Sequence, residues 1–179
     1  MHTVIQNLIL VLVVIAQILI VLYAIGLIIR KKNPNSPLVK ALSENGFLLA
    51  FLVALAATVG SLYYSDIRGY NPCKFCWFQR IFMYPQVILL GIALWKKDYW
   101  MKTYGVILSV IGGIIALNHY ILQITGTSIL PCSAVGQSVS CNKVFVMHLG
   151  YITIPMMALT AFILMTLALL MWKKPAEVN

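Results

Sequence analysis

Two cysteines separated by two residues carry most of the chemistry in this chain. Cys73 and Cys76 lie in the segment NPCKFCWFQR, which spans residues 71–80. Two thiols at this spacing can close and open a disulfide, and can thereby exchange an electron pair with another thiol pair. Arg80 follows Cys76 by one helical turn and is positioned to stabilise negative charge on sulfur. The segment therefore predicts a redox site.

The residues before the pair predict how a helix would hold it. Asn71 suits an N-cap and Pro72 suits the first helical position, so we expect a helix to begin there. Both cysteines would then lie in its first turn, where backbone N–H groups and the helix dipole favour thiolate. Closing a disulfide there would distort the turn, which is typical of exchangeable disulfides.

A second cysteine pair, Cys132 and Cys141, lies in the segment 125–149, whose glycines, proline and serines predict a flexible loop. Four cysteines form either two structural disulfides, two exchanging pairs, or one zinc site. The eight residues inside the second pair do not match a zinc knuckle, and the two inside the first close too small a loop to stabilise much. These arguments favour exchange, with both alternatives open.

The composition predicts where the rest of the chain lies. Of the 179 residues, 61% are hydrophobic and 9% are charged, too apolar for a soluble domain. Five apolar runs approach the length of about 20 residues that a spanning helix needs; they cover 4–29, 46–64, 77–95, 104–124 and 150–172. The first run lacks a basic segment before it and is expected to be retained rather than cleaved. We therefore predict an all-α membrane protein with five spanning helices.

The net charge of +9 is distributed unevenly between the predicted loops. If five helices alternate, nine of the 13 basic residues fall on one side, namely Arg30, Lys31, Lys32, Lys40, Lys96, Lys97, Lys102, Lys173 and Lys174. The positive-inside rule then predicts an N-terminus outside, a cytoplasmic C-terminus and all four cysteines on the outer face. Basic residues in these positions orient the chain and meet anionic lipid, so no nucleic-acid surface is expected.

A histidine on the fourth run is expected near the same depth as Arg80. His119 lies roughly 8 Å inside the outer end of its run, and Arg80 about 6 Å inside the end of its own. Taken alone, Arg80 could extend to headgroups and His119 could be a packing residue. Their matched depth favours a shared pocket for a flat, apolar, reducible ring, which Gln79 and Tyr84 would help to line.

The chain resembles the DsbB/BdbC family of bacterial membrane thiol oxidoreductases. The likeness covers about residues 46–172 and rests on Pro-Cys-x-x-Cys, the continuation to Gln79-Arg80, His119 with Leu122-Gln123 after it, and the later cysteine pair. The short spacing of that pair is closer to the BdbC branch. The resemblance implies two parts: a four-helix redox domain, 46–179, and an extra N-terminal helix with a cytoplasmic linker, 1–45.

The resemblance also implies a mechanism and its components. Cys132 would form the mixed disulfide with an extracytoplasmic thioredoxin-fold thiol oxidase, and Cys141 would attack Cys73. Cys76 would then reduce a quinone, ubiquinone or menaquinone, beside Arg80, with His119 and Gln79 in the quinone pocket. No metal site is expected, and the resemblance implies a location in the bacterial plasma membrane.

Two other functions remain open on the sequence. A thiol reductase that carries electrons outward, as in vitamin K epoxide reductase-like proteins, would use the same residue types, although there the loop pair precedes the Cys-x-x-Cys. A small transporter with two structural disulfides would need polar residues at mid-membrane, whereas Glu44, Asp66, Asp98 and Glu177 all lie in predicted loops or the tail.

Overall fold

The computed structural model of the protein describes residues 2–97, 100–127, 132 and 140–173. Five helices in these ranges are long and apolar enough to cross a membrane, which confirms the predicted all-α membrane fold. Asp98, Lys174 and Glu177 lie outside the described residues, as do residues 128–131 and 133–139, most of the segment that separates the two loop cysteines.

Each of the five helices contains most of one predicted span. Their bounds are α1, His2–Lys32; α2, Pro37–Leu62; α3, Lys74–Lys96; α4, Met101–Thr125; and α5, Ile154–Met171. Helix α2 begins well before its apolar run, because Ser36 caps it by accepting a hydrogen bond from the Val39 N–H and Pro37 occupies its first turn. Helix α5 begins later than its run, because a hairpin precedes it.

That hairpin and a π-helical turn shape the end of the bundle where the cysteines lie. The π-helical turn, Tyr63–Ile67, continues α2. The hairpin pairs β1, Met147–His148, with β2, Ile152–Thr153, in antiparallel register. Three residues, 149–151, connect the strands, and the Tyr151 N–H donates to the His148 carbonyl at 3.2 Å. Leu149 and Gly150, with φ of 51° and 76°, are the central residues of this turn, and positive φ at both matches the strand twist.

The opposite end of the bundle gathers the basic side chains. Arg30 donates to the Met171 carbonyl at 3.4 Å, and Lys102 donates to the Trp172 carbonyl at 2.9 Å. Helices α1, α4 and the end of α5 therefore meet at one end, as the alternating topology predicts. Cations there also complement the negative ends of α1 and α5.

Helix α5 lies at the centre of the bundle. It is apolar on all faces, and such a helix is stable only when protein or lipid surrounds it. Among its fully buried residues are Phe162, Met165 and Leu169. Gly112 of α4 lies directly against the Phe162 ring, where any side chain would collide with it. Small residues thus let α4 and α5 approach closely and fix the frame that positions the site.

Candidate functional site

The Cys73–Cys76 pair lies at the N-terminus of α3, which begins two residues later along the chain than expected. Cys73, not Asn71, is the N-cap: its backbone is extended (φ −76°, ψ 175°), and its carbonyl accepts the Trp77 N–H at 3.1 Å. Cys76 is therefore at N3, and the side chains of the N-cap and N3 face each other. The two Sγ atoms lie 3.1 Å apart as free thiols.

The Cys73 thiol is buried and is held in a polar contact network. His119 Nε2 lies 3.6 Å from its Sγ. The hydrogen bond from the Cys76 thiol lowers the pKa of Cys73 most; burial raises it, the His119 ring lowers it again, and the net pKa shift is strongly downward. The pair is thus able to hold one thiolate and one proton next to each other.

His119 is held in a single orientation by Gln79. The Gln79 side-chain amide lies 3.1 Å from His119 Nδ1 and donates to it. The neutral ring then carries its proton on Nε2, which faces both the Cys141 carbonyl oxygen, at 3.1 Å, and Cys73. His119 is almost completely buried. Its N–H therefore points at the place where the two cysteine pairs meet.

Cys132 and Cys141 form a disulfide, with their Cα atoms 6.3 Å apart. Cys141 is buried and packs in one apolar cluster with Cys73, Phe75 and Leu122, and Cys132 packs against that cluster. The zinc site made of all four cysteines is therefore wrong for this structure, because two of them are bonded to each other. The loop pair lies directly beside the helix pair, as exchange between them requires.

Arg80 is clamped inside the bundle one turn deeper than Cys76. Its Nε donates to Ser61 Oγ at 3.1 Å, and its Nη2 donates to the Ser61 carbonyl at 3.3 Å. The guanidinium also lies over the Trp77 and Tyr84 rings, 5.3 and 6.0 Å from their centroids. Tyr84 donates to the same Ser61 hydroxyl. These contacts hold a fixed cation at this depth.

A cavity of about 400 Å³ opens beside Cys76 and Arg80. Its wall is almost entirely apolar and comes from α1, α2, α3 and α5. It forms where small side chains face one another, among them Ala16, Ala57, Gly60, Ala158 and Ala161. The volume lies within the range of small-molecule sites, which are typically concave and apolar with a few polar groups.

One buried polar atom in the wall of the cavity has no partner. Tyr64 is 5% exposed and its hydroxyl makes no hydrogen bond among the described residues. The π-helical turn carries this side chain into the cavity wall. Such turns are frequent at functional sites, and a buried hydroxyl without a partner is costly unless a ligand meets it.

The predicted site residues divide between two neighbouring spaces. Cys76, Gln79 and Arg80 line the large cavity, whereas His119 lines a small one of about 20 Å³ together with Cys73 and Cys76. The expectation that His119 and Arg80 share a pocket needs correction, because the two residues line different cavities and Cys76 borders both. The residue roles themselves stay predictions.

Two further residues of the site had no clear signal in the sequence. Ser61 and Tyr64 read as ordinary residues near the end of an apolar run, and only their depth, comparable to that of Arg80, could have drawn attention to them.

The thiol side of the site could also offer three ligand atoms to a soft metal ion, since those of Cys73, Cys76 and His119 lie within 4.8 Å of one another.

The sequence of the chain is similar to those of several known proteins. The family model of disulfide bond formation protein DsbB matches residues 43–172. The SPbeta prophage-derived disulfide bond formation protein B of Bacillus subtilis is 47% identical over 118 residues, 66% of this chain and 78% of that protein. Disulfide bond formation protein C of the same organism is 44% identical over 130 residues, 71% of this chain and 92% of that protein.

More distant relatives extend the match, although no solved structure matches the chain significantly. A probable disulfide formation protein of Metapseudomonas resinovorans is 34% identical over 141 residues, 78% of this chain and 96% of that protein. The coverage by the family model, the five spanning helices and the adjoining cysteine pairs lead to one conclusion. The chain belongs to the DsbB family of disulfide bond formation proteins and is a multi-pass membrane disulfide oxidoreductase.

Proposed function

We propose that the protein reoxidises an extracytoplasmic thioredoxin-fold thiol oxidase and transfers the electrons to a quinone. The observation that carries this proposal is the position of the Cys73–Cys76 pair. The Cys73 thiol contacts His119, whose Nε2 also lies within hydrogen-bond distance of the carbonyl of Cys141 in the loop disulfide. The Cys76 side chain lines an apolar cavity beside Arg80, a fixed cation. An electron pair can enter on one side and leave on the other.

The cavity fits a quinone by volume, polarity and donors. A quinone ring with an isoprenoid tail is flat and apolar, and it presents two carbonyl oxygens. The large cavity offers about 400 Å³ of mainly apolar space, the Arg80 guanidinium and the unpartnered Tyr64 hydroxyl. A bound quinone supplies an acceptor for two electrons and two protons. Buried donors aimed at its carbonyl oxygens would stabilise charge as it develops there.

Each thiol–disulfide exchange step breaks one disulfide and forms another. The dithiol of the partner attacks Cys132–Cys141 and leaves as a disulfide, so the loop pair becomes two thiols. Cys141 then attacks Cys73 in the oxidised Cys73–Cys76 pair and displaces the Cys76 thiolate. Cys132 attacks Cys141 in the resulting mixed disulfide, which re-forms the loop disulfide and leaves Cys73 and Cys76 reduced. Re-formation of the Cys73–Cys76 disulfide releases two electrons and two protons on the cavity side, where Cys76 lies.

His119 and Gln79 serve the thiol side of this relay. The His119 N–H stabilises the Cys73 thiolate and holds the Cys141 backbone close to it. Gln79 keeps the ring in the tautomer that donates from Nε2. A fixed donor at a leaving or attacking sulfur lowers the barrier without reorganisation at the moment of exchange.

We also propose that the chain lies in the bacterial plasma membrane with its N-terminus outside. Arg30 and Lys102 lie at the end of the bundle opposite the cysteines, which would be the cytoplasmic end by the positive-inside rule. The cysteines would then face the compartment in which disulfides persist. Residues 46–179 would form the redox domain, and 1–45 an addition to it.

The test is quinone reduction by purified protein in lipid nanodiscs, supplied with a reduced thioredoxin-fold oxidase. We expect turnover by the unaltered chain and none by Cys76→Ser. The variant that lacks both loop cysteines should lose turnover with the protein partner yet retain reduction of quinone by a small dithiol. Full turnover by Cys76→Ser would refute the proposal.

A further inference from the structure

Helix α1 is docked on the bundle by polar and close apolar contacts at several levels. At one end Tyr23 donates to the Leu42 carbonyl at 3.2 Å, and Gly26 lies so close to Leu42 that a methyl group in its place would approach that side chain to 2.8 Å. Nearer the other end, Gln17 accepts a hydrogen bond from Tyr151 at 2.9 Å. Contacts of this kind fix the rotation of a helix against its neighbours.

The face that α1 turns inward contributes a wall of the large cavity. Six of its residues line that space: Ile9, Leu12, Val13, Ile15, Ala16 and Leu19. Cys76 and Arg80 lie in the first two turns of α3 and Tyr64 follows the end of α2, whereas the lining residues farther from these ends on α2 and α5 include the apolar Leu49, Leu52 and Leu164.

This division of the cavity matches the two parts of a tailed quinone. The ring needs donors and an approach to sulfur, which the outer end offers. An isoprenoid tail gains free energy only from apolar contact, which the deeper wall offers. Ala16 has the smallest side chain of the six, so a larger one there would reduce the space beside α1.

The docked helix lies outside the region that defines the family. The family model begins at residue 43, after α1 ends at Lys32. The match covers 92% of the Bacillus subtilis protein C, so the remainder of that relative is too short for another spanning helix of about 20 residues. The α1 wall is therefore an addition to what that relative contains.

We infer that α1 is a substrate-binding element that holds the isoprenoid tail of the quinone, and so sets which tails the protein accepts. This inference rests on the proposed function and makes it more specific. Without α1, the same space would open directly to lipid, and the tail would have no protein wall on that side.

The first experiment compares quinones with a long and a truncated tail in nanodiscs. Ala16→Trp should fill part of the cavity beside α1 and lower kcat/KM for the long-tailed quinone at least tenfold, about 1.4 kcal/mol. The truncated quinone should be reduced within about twofold of the unaltered rate. Ala16→Leu provides a milder version of the same change in case the larger side chain prevents folding. Ile18→Trp is the matched control, because Ile18 is 56% exposed toward lipid on the same helix.

The second experiment reads binding directly and does not require turnover. A quinone analogue with a photoreactive group at the end of its tail should label α1, and Ala16→Trp should abolish that label. Labelling confined to other helices would overturn the inference. Equal loss of rate with both tails, or no loss with either, would also overturn it. If the unaltered protein reduces no quinone at all, the proposed function fails, and the labelling result still decides whether α1 holds the tail.

Discussion

Cys73 and Cys76 lie in one helical turn, yet their surroundings differ sharply. Cys73 is buried beside Cys141 and against His119, whose Nε2 also meets the Cys141 carbonyl, so a proton can be placed on a named nitrogen next to the sulfur. Cys76 opens on an apolar cavity twenty times larger by volume, where the only fixed cation is Arg80 among the described residues that line it.

The difference shows how a short motif can join two kinds of chemistry. Thiol exchange needs control of protons and close approach of sulfur, and the His119 side provides both. Transfer to a membrane-soluble acceptor needs an apolar space with a few donors, and the Arg80 side provides these. The N-cap position of Cys73 turns its side chain toward one space while Cys76 lines both.

The largest expected effect comes from removing the link between the two sides. Cys76→Ser should leave the loop disulfide intact but stop quinone reduction completely, because serine cannot form a disulfide with Cys73. Steady-state quinone absorbance with a reduced dithiol measures this. Cys132→Ser with Cys141→Ser is the control: it should fail only with the protein partner.

Changing the cavity side alone should alter acceptor binding. Arg80→Gln removes a charged donor worth about 1.5–3 kcal/mol, so KM for the quinone should rise about 10- to 100-fold. Arg68→Gln is the matched control, since Arg68 bonds to Tyr70 and does not line the cavity. An unchanged KM in Arg80→Gln would contradict a role for the cation at the acceptor.

Changing the thiol side alone should alter the titration of Cys73. A lowered pKa means that the thiolate persists above that lowered value and disappears as the pH falls through it. His119→Ala removes one cause of the lowering, so the thiolate should disappear at a higher pH than in the unaltered protein. Ultraviolet thiolate absorbance of the reduced protein against pH measures this.

Controls for the histidine separate position from general packing. His119→Gln retains an N–H donor and should restore part of the shift in the pKa of Cys73. His148→Ala should leave the titration of Cys73 as it is, because His148 lies in the hairpin, whereas the side-chain partners of the Cys73 thiol are Cys76 and His119. An identical titration curve for His119→Ala and the unaltered protein would show that the histidine does not act on Cys73.

The smallest expected effect concerns a single neutral hydroxyl. Tyr64→Phe removes the unpartnered donor of the cavity, and KM for the quinone should rise about 2- to 10-fold, the equivalent of about 0.5–1.5 kcal/mol. Tyr63→Phe is the control, because the Tyr63 hydroxyl bonds to His2 instead. A rise in KM that is the same for both variants would indicate a general effect on the π-helical turn.

The sequence predicts the five spans well because the length and apolar character of a membrane helix are local properties. It places the start of α3 two residues too early, since Asn71 is the better N-cap by residue type and the packing of Cys73 against His119 is not visible in the sequence. The hairpin at 147–153 is missed because its strands are two residues long and lie at the edge of an apolar run.

The sequence predicts those parts of the site whose residues lie close together along the chain. The Cys-x-x-Cys pair and Arg80 share a helix, so their relation follows from helical geometry. The separation of His119 from Arg80 does not follow from the sequence. The sequence indicates how deep each residue lies in the membrane, but the direction in which each side chain faces depends on how α4 is rotated against α3. Ser61, Tyr64 and the α1 wall depend entirely on that kind of packing.

The most direct measurement is a single turnover of the pre-reduced protein mixed rapidly with quinone in nanodiscs, with quinol and free thiols counted at each time. In the variant that lacks the loop cysteines, the account predicts one quinol for each Cys73–Cys76 disulfide formed, at equal rates. When the loop pair is also pre-reduced, it predicts two quinols for each chain, because the loop thiols reduce the Cys73–Cys76 disulfide once more. In the variant without the loop cysteines, oxidation of the Cys73–Cys76 pair without quinol, or quinol without loss of these two thiols, would contradict it.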